Sequence, residues 1–151
     1  NHPPCSMYEK IINEYGFKHV VLVTSVDKRH PCVSFPWFRK SVNEGKLHSF
    51  RVQSGTLLED TCELLKAHNI ALSFSTFPES MAVISKRARR IFSRVKFQSG
   101  SVMDEHGWPG TTVHRYVVPI DENHHGPYNN TMAGVIHWMQ SLPASQLSKK
   151  L

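Results

Sequence analysis

The feature of this sequence that most limits its fold is the alternation of short apolar runs with stretches of helical periodicity. His19 to Thr24 is a short apolar run rich in β-branched residues, the pattern of a buried strand. Leu47 to Gln53, Asn69 to Phe74 and Arg90 to Phe97 are further strand candidates. Between them the spacing predicts helices over Cys32 to Asn43, Leu57 to His68 and Pro78 to Lys86, with Pro36 and Pro78 tolerable only in first turns. In the middle helix Leu57, Leu58, Cys62, Leu64 and Leu65 fall at helical spacing, and Ser54 or Thr56 supplies a cap. An earlier helix over Ser6 to Tyr15 places Met7, Ile11, Ile12 and Tyr15 on one face, with Ser6 as N-cap and Gly16 as stop. Strands joined by helices imply βαβ units, and hence an α/β, Rossmann-like fold: an open parallel sheet, right-handed, with helices on both faces.

From Gln98 to Tyr128 the composition shifts to Gly, Pro, His, Asp and Asn, interrupted by a possible fifth strand at Val113 to Ile120. A helix over Thr131 to Ser141 and a polar tail follow. The organisation read from this is a Rossmann-like domain over residues 1–122, on which the loop, helix and tail of 123–151 pack. The 151 residues suffice for one core, burying roughly 70% of the unfolded surface. With 40% hydrophobic and 20% charged residues the chain falls outside the disordered and fibrous classes. Its longest apolar runs fall short of the ~20 residues that span a bilayer, and no secretory signal pattern stands at its start. The first residue is Asn1, which suggests processing or a cut from a longer polypeptide. Cys5, Cys32 and Cys62 are widely spaced with no CxxC pair, which suits buried free thiols better than a disulfide framework. Asn129 heads one N-glycosylation sequon.

In an open parallel sheet, ligands collect beyond the carboxyl ends of the strands. Thr24 to His30, Gln53 to Asp60 and Ser73 to Glu79 are the segments expected there. In the third, Ser73, Ser75 and Thr76 lead from an apolar strand into a helix whose free N–H groups and dipole favour a phosphate. The same hydroxyls also serve as ordinary caps of their own helix. In the second, Ser54 and Gly55 repeat the strand, turn, helix arrangement, and Gly55 allows close backbone approach to a ligand. Asp60 follows one turn into the helix, either accepting hydrogen bonds from a ribose or base or simply complementing the helix dipole.

A net charge of +6 favours polyanions or phosphorylated ligands. Lys86, Arg87, Arg89, Arg90, Arg94 and Lys96 concentrate it, but they span a helix end, a turn and a strand, which reads as a solvated rim rather than a nucleic-acid groove. The histidines, including His124-His125, show no metal-ligand spacing, and no serine-hydrolase elbow is present.

Three segments, taken in order, resemble a known family. They are Val20-Val21-Leu22-Val23-Thr24-Ser25-Val26-Asp27, then Val52-Gln53-Ser54-Gly55 with the helix from Leu58 to Ala67, then Ala71-Leu72-Ser73-Phe74-Ser75-Thr76-Phe77. Together they are similar to the donor-binding half of GT-B glycosyltransferases of the fucosyltransferase-like superfamily, over about Val20 to Phe92. In that family a "VxTxD" strand end, a "D..LL..A" helix and an "STF" turn line a GDP-sugar pocket. The resemblance implies that Asp60 contacts the nucleoside and that Ser75 and Thr76 hold the diphosphate. It places Thr24, Asp27, Ser54, Gly55 and Ser73 around the donor, Asp27 standing alone where many relatives carry paired acids. The family's H-x-R-x-G-D motif, whose arginine neutralises the leaving diphosphate, is absent from these residues. In relatives it precedes a segment like His2-Pro3-Pro4-Cys5-Ser6-Met7-Tyr8, so the cut is expected just downstream of it.

What the resemblance implies is the nucleotide-sugar-binding lobe of a transferase that moves a sugar, fucose being the family's example, from a GDP-linked donor to an acceptor hydroxyl. The lobe alone would be incomplete for catalysis. The expected partners are the donor, a glycan or protein acceptor and a missing N-terminal lobe, with no nucleic acid and no metal if arginine takes the charge. A eukaryotic relative would work in the Golgi or another secretory lumen, a bacterial or viral one in the cytoplasm. Two other readings remain open: a noncatalytic basic module binding RNA or sulfated glycan, and a small α/β interaction domain whose turns are simply capped.

Overall fold

The structure is a computed structural model, and it describes residues 3–25, 30–73, 75–94, 110–119 and 131–150. Helix α1 (Cys5–Tyr15) buries Met7, Tyr8, Ile11 and Ile12 and ends where Gly16 takes the left-handed conformation, φ 65°, that glycine adopts without a Cβ penalty. Strand β1 (His19–Val23) follows and pairs in parallel with β2 (Ser49–Gln53). The crossover between them holds a 3-10 turn (Pro31–Ser34) and helix α2 (Pro36–Asn43). The predicted helix over Cys32 to Asn43 is therefore split at Phe35, and Pro36 opens its second part, where a missing N–H costs nothing.

Helix α3 (Leu57–Lys66) leads to β3 (Asn69–Ala71), and α4 (Thr76–Ile84) crosses from β3 to the parallel β4 (Arg90–Arg94). Strand β5 (Thr112–Val117) is parallel to β4. Helix α5 (Met132–Ser141), a second 3-10 turn (Ala144–Gln146) and β6 (Ser148–Lys150) complete the chain, β6 running antiparallel to β5. The architecture is α/β and Rossmann-like, with sheets dominated by parallel pairs. Its hydrogen bonding falls into two pieces, β1-β2 and β3-β4-β5-β6.

One apolar cluster unites the pieces. Residues of α1 meet Phe38, Leu47, Phe92, Tyr116, Trp138, Met139 and Leu147, and Val20, Leu22 and Phe50 pack against them. Phe38 and Phe50 stack with ring centroids 4.4 Å apart. Each fully buried side chain of this size contributes roughly 1.5–3 kcal/mol. A second cluster of Ile70, Leu72, Ala82, Ala88 and Ile91 lies on the other face of β4, because Ile91 and Phe92 point to opposite sides of the strand. Helices thus cover both faces, α1 over Phe92 and α4 over Ile91. Among the described residues no helix is long and apolar enough to cross a membrane.

Several expectations change. Cys5 and Cys32 are not free thiols but a disulfide, fully buried, while Cys62 is free and exposed. A pairing across 27 residues of sequence leaves no spacing signature. Ser6 does not cap α1; Pro4 holds that position, and Ser6 is buried within the helix. The polar tail is structured: Leu147 enters the core, and Lys149 Nζ on β6 donates to Tyr15 Oη at 2.6 Å. Leu57 and Leu58, expected to face the core, are each 72% exposed.

Two expectations for measurement arise from this packing. In a chain-entropy picture the Cys5–Cys32 link, closing a loop of 27 residues, stabilises the fold by about 3.5 kcal/mol. The Cys5→Ala/Cys32→Ala pair should lower the unfolding free energy by about 2–4 kcal/mol in a urea titration. His114 stacks on Phe92 at 5.1 Å, and burial, with Lys149 and Arg90 beside it and Glu14 opposing, pushes its pKa below the ordinary 6.5. The unfolded chain then binds this proton more readily, so the contribution of His114 is fully present above pH 6.5 and is lost as pH falls toward the lowered value. His114→Phe should flatten the acid limb of the stability curve below that pH; an unchanged limb in urea titrations would assign the acid sensitivity elsewhere.

Candidate functional site

The carboxyl end of β2 turns into α3 through Ser54, Gly55 and Thr56. Thr56 caps the helix: its Oγ1 accepts from Glu59 N at 3.3 Å, and Glu59 Oε2 accepts from Thr56 N at 2.7 Å. This reciprocal box satisfies two of the donors a helix start leaves open. The Thr56 amide and hydroxyl hold the Glu59 carboxyl below its usual range. Ser54, the other candidate cap, is exposed and has no part in the box.

Asp60 is the buried residue of α3, at 8% exposure. Its Oδ1 accepts from Gly55 N at 3.1 Å and from Gln53 Nε2 at 3.3 Å. Its Oδ2 accepts no hydrogen bond from a described residue. The helix turns a carboxylate inward and leaves Leu57 and Leu58 in solvent. Backbone N–H groups and the positive end of the helix dipole favour an anionic side chain at this place. Gly55 is explained by the same packing: a Cβ there would stand 2.5 Å from Glu59 Oε2 and 2.9 Å from Gln53 Nε2. The chain's own Glu59 and Gln53 side chains thus approach Gly55 closely.

Thr24 joins this set from β1. It is buried, its N–H donates to Gln53 O at 2.9 Å, and its Oγ1 accepts from His30 N at 2.8 Å. His30 Nδ1 in turn accepts from Cys32 N at 3.2 Å. Asp27 lies outside the described residues.

The start of α4 is the other segment singled out by the sequence. Ser75 is its N-cap, its Oγ accepting from Phe77 N at a long 3.4 Å. Thr76 is the first helical residue and is exposed, and its hydroxyl makes no hydrogen bond among the described residues. Pro78 brings no N–H to the first turn, so the available donors are few. Ser73 is half-buried at the end of β3, where Leu72 N still donates to Phe92 O at 2.8 Å. The structure thus gathers Thr24, Gly55 and Asp60 around Gln53 and sets Ser75 and Thr76 on α4, which packs against α3.

Sequence reasoning missed Gln53, which bridges Thr24 to Asp60, and Glu59, although Thr56-x-x-Glu59 is a capping-box spacing visible in the chain. It also missed His30, whose role depends on where the chain returns. Lys86, Arg87, Arg89 and Arg90 are exposed between α4 and β4, at the end of α4 away from Ser75, and the Arg90 guanidinium lies 5.5 Å over the Tyr15 ring. Lys96 and His124-His125 fall outside the described residues. Among those described, no group of three or more His, Cys, Asp or Glu is arranged to hold a metal. A surface pocket of about 230 Å³ lined in part by Phe17, Lys18, Trp37 and Lys46 opens at the amino end of β1, away from this site.

No protein-family model and no curated protein matches this sequence.

The crowding above Gly55 has a measurable outcome. Gly55→Ala should push the Glu59 carboxylate off Thr56 N, breaking the capping box at a cost of about 1 kcal/mol. The Glu59 carboxyl should then titrate nearer its ordinary range in an NMR pH series. A Glu59 titration unchanged from the wild type would show that the cap tolerates the added methyl group.

Proposed function

We propose that this chain is the nucleotide-sugar-binding lobe of a glycosyltransferase, taking a GDP-linked sugar, with fucose as the sugar named by the resemblance. The observation that carries the reading is the Asp60 carboxylate. It is buried at the carboxyl end of β2, fixed through one oxygen by Gly55 N–H and Gln53, and has the other oxygen uncommitted among the described residues. Hydroxyls of a ribose or N–H groups of a base are donors suited to such an acceptor. The α4 start offers the Thr76 hydroxyl and the positive end of its helix dipole to a diphosphate.

In the reaction this reading implies, an acceptor hydroxyl attacks C1 of the sugar, the bond from C1 to the diphosphate oxygen breaks, GDP leaves, and the hydroxyl proton passes to the departing diphosphate or to water. The lobe's part is to hold the departing diphosphate and fix the nucleoside, so that binding energy from the remote nucleoside orients the reacting carbon. Charge developing on the diphosphate is met at α4 by oriented dipoles that need no reorganisation.

Calorimetry with GDP and with guanosine tests the assignment. Asp60→Asn should weaken both ligands by roughly 10- to 100-fold, because the uncommitted acceptor becomes an amide. Thr76→Val should weaken GDP and leave guanosine unchanged. Absence of GDP binding at millimolar concentration would refute the reading. Salt-sensitive heparin binding that survives Asp60→Asn, with no GDP binding, would point instead to the exposed Lys86, Arg87 and Arg89 as a polyanion contact.

A further inference from the structure

A hydrogen-bonded chain runs from the disulfide to the candidate site. Cys5, at the start of α1, is bonded to Cys32, and both are fully buried. The Cys32 N–H donates to His30 Nδ1 at 3.2 Å, and the His30 N–H donates to Thr24 Oγ1 at 2.8 Å. The Thr24 N–H donates to Gln53 O at 2.9 Å, and Gln53 Nε2 donates to Asp60 Oδ1 at 3.3 Å. The ring of His30 also meets the edge of Tyr8 on α1, with centroids 6.2 Å apart.

We infer that His30, anchored by the Cys5–Cys32 disulfide, is a positioning residue for the carboxyl ends of β1 and β2, and so for Asp60. The inference rests on the nucleotide reading only for what Asp60 binds. His30 is where the chain returns after β1, and its backbone N–H closes that return onto the Thr24 hydroxyl. Thr24 follows directly on the β1-β2 pairing, and Cys32, two residues after His30, is bonded covalently to α1. The imidazole acts as the cap of the 3-10 turn, accepting from the N–H two residues ahead. An asparagine side chain does the same in an Asx turn. That equivalence makes the role separable from general packing, because asparagine restores the acceptor without restoring the ring.

The test compares wild type, His30→Ala and His30→Asn by amide exchange and by GDP titration. His30→Ala should speed exchange at Thr24, Cys32 and Gly55 by about tenfold, leave Ile91 and Tyr116 unchanged, and weaken GDP by a similar factor. His30→Asn should bring both measures back to within about threefold of wild type. The inference is overturned if His30→Ala leaves those three amides protected, if it speeds Ile91 and Tyr116 equally, or if His30→Asn behaves as His30→Ala. Should wild type fail to bind GDP, the nucleotide reading falls, and the exchange pattern alone decides the role of His30.

Discussion

The Cys5–Cys32 bond joins the first turn of α1 to the chain just beyond β1, and most of the structure is arranged around the helix it holds. The two sheets share no strand pairing among the described residues, so backbone hydrogen bonds do not set their relation. That relation passes through α1. Its start is covalently tied to the crossover that follows β1, and its middle supplies Met7, Tyr8, Ile11 and Ile12 to the shared core. Its far end reaches the other sheet: Tyr116 Oη on β5 donates to Glu14 Oε2 at 2.6 Å, and Tyr15 packs on Phe92 and His114. The two sheets thus share one core through a helix tied at one end and hydrogen-bonded at the other.

The candidate site turns on a departure from hydrophobic spacing in α3. Hydrophobic spacing in α3 would turn Leu57 and Leu58 inward. The helix instead presents Asp60 to the sheet, where Gly55 N–H and Gln53 meet it, and its leading leucines stay in solvent. A helix start concentrates unsatisfied N–H groups and positive potential, which favour a carboxylate there. The dipole end of α3 is thereby answered by the chain's own Glu59 and Asp60, and that of α4 by the Ser75 cap and by Glu79 in its first turn. The proposed function assigns the nucleoside to the Asp60 side and the diphosphate to the Thr76 side.

Much of the fold was legible because it rests on local periodicity. The β-branched run from His19, the Gly16 stop, proline in the first turns of α2 and α4, and the alternation of strand and helix are each written in neighbouring residues, and the elements appear within a few positions of where they were read. The site was legible in part. Asp60, Ser75 and Thr76 occupy the strand ends and helix starts expected of them. At Gly55 the coordinates add what the sequence could not show, that the space of a Cβ is approached by the Glu59 and Gln53 side chains.

The sequence by itself determined the class of fold and the chemical types at the carboxyl ends of its strands, because spacing and residue chemistry act over a few positions. Tertiary structure alone decided which cysteines pair, that Ser148–Lys150 adds an antiparallel strand, that Leu57 and Leu58 stay exposed, and that Gln53 and His30 link the disulfide to Asp60. Each of these depends on residues distant in the chain arriving at one place. Such meetings are set by the summed packing of the core and not by any local preference.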